Sequence, residues 1–280
     1  MSQKVSLNAY FERIGFAGSI APTLATLELL QALHPAAIAF ENLDPLLGMP
    51  VKLDQASLEK KLLHAGRGGY CFEHNLLLMS VLRELEFNVR GHAARVLWNN
   101  PAGASGPLTH MVLTVEISGT NYLVDAGFGG LTPTAPLKLK AEVEVEQETP
   151  HESYRLIDQD KSWRLEAKIG EDWKALYLFD MTEVSLEDYQ ELNAFVSSDP
   201  QSPFTQELRV ARSPSGRRLA LQNNRFTIHA QGQEPEPRLL LSVAELRQVL
   251  GEDFAISLPE GEALDTKLAE IAASSARADR

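Results

Sequence analysis

The one cysteine among 280 residues, Cys71, sits in the run Arg67-Gly68-Gly69-Tyr70-Cys71-Phe72-Glu73-His74-Asn75, where two glycines lead into an apolar stretch from Leu76 to Leu85. Leu78, Leu82 and Leu85 fall at helical spacing, so a helix beginning near Cys71 is expected. The first N–H groups of a helix lack intrahelical partners and carry the positive end of its dipole, a setting that suits a thiolate. Cys71 is therefore the candidate nucleophile, although a lone cysteine also serves as a small buried hydrophobe. Such a nucleophile requires a base, and the base a third group that orients it. His110 opens the alternating run Met111 to Ile117, and Asp125 closes Tyr122-Leu123-Val124 after a turn at Ser118-Gly119-Thr120-Asn121. Two such runs read as an antiparallel pair, which sets the start of one beside the end of the next. His74 is one turn from Cys71 and competes on spacing. Helical side chains lean toward the N-terminus and diverge from a first-turn residue, so His110 is the preferred base. The histidines at 34, 64, 92, 151 and 229 stand in less suggestive places.

With these residues in view, the chain resembles the arylamine N-acetyltransferases of bacterial type, over nearly its whole length. The resemblance rests first on Arg-Gly-Gly-Tyr-Cys-Phe-Glu-x-Asn at 67 to 75. It continues through Tyr10-Phe11-Glu12-Arg13-Ile14-Gly15, Phe40-Glu41-Asn42-Leu43, Ala94-Arg95-Val96, His110-Met111, Asp125-Ala126-Gly127-Phe128-Gly129 and Pro200-Gln201-Ser202-Pro203-Phe204. It implies Cys71 as nucleophile, His110 as its base and Asp125 as the orienting carboxylate. It also implies acetyl-coenzyme A as donor, with coenzyme A released, and an arylamine, arylhydrazine or N-hydroxyarylamine as acceptor. Two positions depart from the pattern: Ala39 stands where a proline is expected, and Glu86 where a glycine is common. Both lie outside the triad and bear on local backbone shape.

Gly127-Phe128-Gly129-Gly130 directly follows Asp125, so its backbone can approach a ligand closely and its N–H groups can form an anion nest. The plain alternative is an ordinary turn. Phe128 and Phe204 are candidate apolar walls for an aromatic amine or a pantetheine arm. Thr109, Trp98 and His229 enter as coenzyme A contacts through the resemblance. Arg67 is expected to pair with Glu41 and brace the nucleophile loop rather than bind phosphate, with Glu73 and Asn75 helping to tie down the same backbone.

Positioning these groups requires three stretches of different periodicity. Residues 1 to 86 read as helical: Leu7, Phe11 and Ile14 before Gly15; Leu24, Leu27 and Leu30 between Pro22 and Pro35; Leu58 and Leu62 between an Asp54 cap and Gly66. From Phe87 to about Phe179 the pattern is of strands, at 87 to 98, 110 to 117, 121 to 125, 153 to 157, 162 to 168 and 173 to 179. The last part, 185 to 280, mixes a helix capped by Ser185 with strands near 207 to 212, 217 to 222, 225 to 230 and 238 to 241. A helix opened by a Ser242 to Glu245 capping box follows, and 272 to 280 reads as a frayed tail. The expected fold is α+β: by the resemblance, a helical bundle (1–86) carrying the cysteine, a β-barrel (87–184) carrying His110 and Asp125, and an α/β lid (185–280).

Composition narrows the partners. With 44% hydrophobic residues the chain can bury a sizeable core, and no internal repeat is present. It has no apolar run of 18 residues, and its start, Met1-Ser2-Gln3-Lys4-Val5, lacks a secretory h-region, so no membrane partner and a cytoplasmic location are expected. One cysteine forms no internal disulfide and suits a reducing compartment. A formal net charge of −12 disfavours nucleic acid. No cluster has metal-ligand spacing, so no metal is expected. The chain is expected as monomer or homodimer. The competing readings are a thiol hydrolase or transglutaminase-like amidase with the same triad, and a catalytically silent small-molecule sensor on the same scaffold.

Overall fold

The computed structural model describes residues 4–100, 103–139 and 145–278. Helices dominate its first third. Helix α1 (Leu7–Ile14) is capped by the Ser6 hydroxyl and closed by Gly15 at φ 68°; α2 (Leu24–Ala37) is capped by Thr23. Pro35 was expected to end α2, yet it lies within the last turn, buried, and the helix runs on to Ala37. A two-residue strand β1 (Phe40–Glu41) and a single turn α3 (Leu43–Leu46) follow. Asp54 caps α4 (Gln55–Leu58) as expected, and the helix continues as a wider π turn over Glu59–His64. Helix α5 begins at Cys71 and ends at Glu84.

The last turn of α5 shows what the Glu86 departure means. The N–H of Glu86 donates to the Arg83 carbonyl and that of Phe87 to the Leu82 carbonyl, a Schellman ending. Glu86 takes the left-handed position at φ 64°, where glycine is free of the Cβ penalty. The backbone shape survives the substitution, with the strain kept at that residue.

An eight-stranded antiparallel sheet makes the middle of the chain: β2 (Asn88–Val96), β3 (His110–Ile117), β4 (Thr120–Val124), β5 (Leu137–Lys138), β6 (Gln147–Glu148), β7 (Ser153–Gln159), β8 (Ser162–Ile169) and β9 (Asp172–Asp180), in the order β5-β4-β3-β2-β9-β8-β7-β6. Its two edges meet. The Gln147 side chain accepts from the Lys138 N–H at 2.7 Å and donates to the Lys138 carbonyl at 3.0 Å, so a side chain stands in for the missing ladder and nearly closes a barrel. Alternation sorts the faces: Ala94, Val112, Leu123, Leu165 and Tyr177 fill the barrel, while Val89, Met111, Leu113 and Val124 pack against α5.

The last part contains α6 (Leu186–Ser198), opened by a Ser185/Asp188 capping box, and α7 (Pro203–Gln206). Strands β10 (Arg209–Arg212), β11 (Arg217–Gln222), β12 (Arg225–Ala230) and β13 (Glu236–Leu239) and helices α8 (Val243–Gln248) and α9 (Glu262–Ala278) complete it. Its sheet has the order β1-β10-β11-β12-β13, so a strand from the first third forms one edge. The segment expected as a frayed tail is helical as far as residue 278, with Ala272 packed into the core under this sheet; residues 279–280, like Met1 to Gln3 at the other end, lie outside the described residues. No described helix is long and apolar enough to cross a membrane.

Candidate active site

Cys71 is the first residue of α5 and is buried. Its approach is fixed by close contact rather than by special dihedrals. A Cβ on Gly68 would stand 2.0 Å from the Ala39 carbonyl oxygen, and one on Gly69 would stand 2.6 Å from the Glu73 carboxylate. The Gly69 N–H donates to the Ala39 carbonyl, and the Glu41 N–H to the Gly69 carbonyl at 2.7 Å, which zips the loop to β1. Glu73 reaches back to accept the Tyr70 N–H at 3.0 Å, so the helix start is capped from within.

The expected Arg67–Glu41 pair is present, with Nε donating to Glu41 Oε1 at 2.8 Å. Sequence reasoning missed two members of the cluster. The Arg67 guanidinium also reaches Asp44 Oδ1 at 2.8 Å, and Lys61 Nζ bridges Asp44 Oδ2 at 2.7 Å to Glu73 Oε1 at 2.6 Å. Burial opposes charge on both cations, but the surrounding carboxylates outweigh it and hold their pKa values above the ordinary range. A lysine in a π turn 12 residues ahead of Glu73 carries no sequence signal that would pair the two.

The base side is built by strand register. The β3/β4 hairpin turns through Ser118 and Gly119, both at positive φ, a two-residue turn of the kind hairpins favour. Leu113 faces Val124, so one further step sets Asp125 opposite Val112 and on the same face as His110. His110 Nε2 and Asp125 Oδ2 lie 2.7 Å apart. The Cys71 thiol donates to the Thr109 carbonyl at 3.6 Å, and its side chain also interacts with the His110 ring. Burial disfavours a charged His110, yet Asp125 and then Cys71 outweigh it and raise its pKa to about 10. Asp125 is also buried, but His110, Asn75 and the Gly127 N–H keep its pKa below the usual carboxylate value.

Asn75 has a more specific place than backbone support. Its Nδ2 donates to Asp125 Oδ1 at 3.0 Å and to the Met111 carbonyl at 2.7 Å, and its Oδ1 accepts the Ala126 N–H. Tyr177, absent from the sequence candidates, sets its ring 5.0 Å from His110 and 5.2 Å from Phe128. Burial first and the Asp125 charge second push its hydroxyl pKa well above 10. Nothing in a strand pattern marks which aromatic will face the histidine. His74, the competing base, is turned away: its ring bonds to His34, Gly69 and Ala39.

The other expected residues divide. Gly127 is pressed against Cys71, since a Cβ there would stand 2.7 Å from its Cα; its N–H donates to Asp125 Oδ1 at 2.8 Å and is thereby turned to that carboxylate instead of an open nest. Phe128 meets His110 edge-on at 5.2 Å, and Gly129 (φ 89°) lies over Phe40. Phe204 packs on Tyr70 and Phe40, at 5.4 and 6.1 Å. Trp98 packs on the barrel core, and His229 lies on β12 opposite Arg218 in the lid sheet. Among the described residues no group of His, Cys, Asp and Glu is arranged to hold a metal ion.

A sequence model of a family described as N-acetyltransferase matches residues 23–263. The chain is 41% identical to the arylamine N-acetyltransferase of Escherichia coli K12 over 255 residues, covering 91% of this chain and 90% of that protein. It is 40% identical to a Salmonella typhimurium protein named arylamine N-acetyltransferase / N-hydroxyarylamine O-acetyltransferase, covering 90% and 89%. The solved structure of Mycobacterium marinum arylamine N-acetyltransferase in complex with CoA superposes with a TM-score of 0.90 at 39% identity, covering 95% of this chain and 99% of that one.

Proposed function

This chain belongs to the arylamine N-acetyltransferase family, and from that premise we propose that Cys71, His110 and Asp125 carry an acetyl-coenzyme A-dependent, ping-pong transfer to arylamines and arylhydrazines. The observation that supports these roles is the 2.7 Å contact between His110 Nε2 and Asp125 Oδ2, with the thiol of the first residue of α5 beside the same ring. His110 takes the Cys71 proton, and Asp125 accepts the ring N–H and steadies the imidazolium. The thiolate attacks the thioester carbonyl; the C–S bond to coenzyme A breaks, and its sulfur leaves with the proton from His110. Cys71 then bears the acetyl group. An amine attacks that carbonyl, His110 accepts the amine proton, and Cys71 departs as the C–N bond persists. N-hydroxyarylamines are taken through oxygen in the same manner.

Contacts are proposed at Phe128 and Phe204 for the acceptor ring, and at Thr109, Gly127, Phe128, Gly129, Trp98, Phe204 and His229 for coenzyme A. Arg67 and Glu41 are structural. The division into bundle (1–86), barrel (87–184) and lid (185–280), and a reducing cytoplasmic setting for the free thiol, complete the proposal.

Incubation with acetyl-coenzyme A and no acceptor should add one acetyl mass to the peptide bearing Cys71, and Cys71→Ala should abolish both adduct and turnover. Donor consumption should require an added arylamine. Acetylation elsewhere with activity retained removes Cys71 from the mechanism, and rapid donor loss in water alone points to a thiol hydrolase.

A further inference from the structure

Behind the nucleophile loop lie three buried titratable groups that no step above uses. The Tyr10 hydroxyl (α1) lies 2.9 Å from His34 Nδ1 (α2), and His34 Nε2 lies 2.8 Å from His74 Nδ1 (α5). His74 Nε2 lies 3.0 Å from the Gly69 carbonyl and 3.2 Å from that of Ala39. All three side chains have no exposed surface. Carbonyls only accept, so His74 Nε2 carries the hydrogen and its Nδ1 must accept from His34 Nε2–H; His34 Nδ1 then accepts the Tyr10 O–H. The chain has one direction and leaves neither ring nitrogen free for a further proton. It ends on the two carbonyls where the Gly68-Gly69 loop is zipped to β1, two residues before Cys71.

We propose that His74 is a positioning residue for the nucleophile, and that the neutral Tyr10–His34–His74 chain sets the acid limb of Cys71 acetylation because the folded protein has no place for an added proton on it. A proton on His74 would set its Nδ1–H against the His34 N–H, or drive His34 to its other tautomer and strip the Tyr10 O–H of its acceptor; a proton on His34 would turn its Nδ1 into a donor with the same loss at Tyr10. The charges that face the pair give little help. Arg13 from α1 opposes a cation on His34, and Lys61 from the π turn opposes one on His74; Glu41 from β1 favours it but bonds instead to Arg67 and the Leu43 N–H. Burial lowers the His74 pKa to about 4 and that of His34 well below its ordinary value. The sign follows. Between about pH 4 and the ordinary histidine value of ~6.5 the unfolded chain binds more protons than the folded one, so stability is full above that window and falls as pH drops through it. The triad pair does the reverse: its contribution is fully present on the acid side of ~6.5 and is lost as pH rises through about 10.

The test is acetyl-enzyme formation, read by mass across pH, in the parent and in His74→Gln, His34→Gln and His74→Ala. Glutamine offers an N–H donor and a carbonyl acceptor without titrating. His74→Gln and His34→Gln should each acetylate within a few-fold of the parent near pH 8. Their acid limbs should move to lower pH and lose about one proton of steepness, roughly tenfold per pH unit. His74→Ala should lose acetylation at every pH, because the two carbonyls keep their backbone donors but lose the side-chain N–H that ties them to α5. A folded His74→Gln protein with the parent's acid limb overturns the proposal, as does one no better than His74→Ala. If the variants do not fold, imidazole resonances of the parent decide: the His34 and His74 rings should not titrate above the acid transition, and either one titrating near ~6.5 in active protein overturns it. The inference rests on Cys71 as nucleophile; a parent that takes up no acetyl near pH 8 fails that reading instead, and alkylation of Cys71 then reads the same acid limb.

Discussion

At the start of α5 the loop that carries Cys71 is held by charge: Arg67 and Lys61, both largely buried, are shared among Glu41, Asp44 and Glu73. At the mouth of the barrel His110 and Asp125 are held by the register of a hairpin, a side-chain amide and two aromatic rings, Phe128 and Tyr177, with a single ion pair between them. A buried charge network loses much when one member goes, because the remaining charges stay buried without a partner. Register does not fail that way, since backbone bonds and core residues along each strand maintain it. Damage on the first side should therefore appear as lost stability, and on the second as lost rate in a folded protein.

The sharpest test is Asp125→Asn. The amide keeps the size and the backbone, but turns the histidine toward the wrong tautomer, as in other triads where this change costs up to about 10⁴ in rate. We expect loss of acetyl-enzyme formation with near-parent circular dichroism, and a flatter decline of melting temperature as pH rises through about 10, since the raised His110 pKa depends on this carboxylate. A folded Asp125→Asn enzyme within a few-fold of the parent rate would erase the contrast.

On the charged side, Arg67→Ala leaves Glu41 buried and should cost about 3 to 5 kcal/mol of stability in denaturant titrations, with lower soluble yield. The apparent affinity for coenzyme A of whatever folds should change little. A stable Arg67→Ala protein with a specific loss of coenzyme A binding would make Arg67 a phosphate ligand and the network secondary.

Lys61→Met should have a smaller effect, about 1 to 3 kcal/mol, because Asp44 keeps Arg67 and Glu73 keeps the Tyr70 N–H. Glu73, already raised by burial, should then take up a proton more readily, so the loss should shrink at low pH. A loss independent of pH would argue for packing rather than charge.

The smallest effect lies at the far end of the same helix and should be a gain. Glu86→Gly relieves the left-handed position and should raise stability by about 1 kcal/mol, visible as a shift in denaturant midpoint with unchanged activity. Destabilisation would mean that the Glu86 side chain supports more than its own strain.

What the sequence declared and what it withheld divide along similar lines. Local grammar was readable: the Asp54, Ser185 and Ser242 caps, the start of α5 at Cys71, and the alternation of β3 and β4 that joins His110 to Asp125. Features that depend on distant partners were not. Strand β1 is too short for a periodicity and exists because Phe40 and Glu41 find Ala211 and Val210. Asp44 and Lys61 look like surface charges until Arg67 and Glu73 are seen between them. Gln147 closes the barrel through its side chain, which no backbone propensity encodes. Pro35 shows the converse: its buried place in the final turn of α2 overrides the helix-ending tendency read from its type.

Strand β1 carries a consequence for dividing this chain into parts. Its outer side pairs with β10, its inner side bridges to Gly69, and Asn42 next to it clasps the lid through the Phe204 and Glu207 carbonyls and the Arg209 N–H. The loop that aims the thiol is thus stitched to residues about 140 positions further on. A fragment ending before residue 185 would retain the cysteine, histidine and aspartate in sequence, yet would present β1 as a bare edge with nothing to square the nucleophile loop against. For recombination between relatives, the crossover that respects the chemistry is one that moves residues 39–42 together with 204–212, two stretches remote in the gene that behave as one inheritable piece.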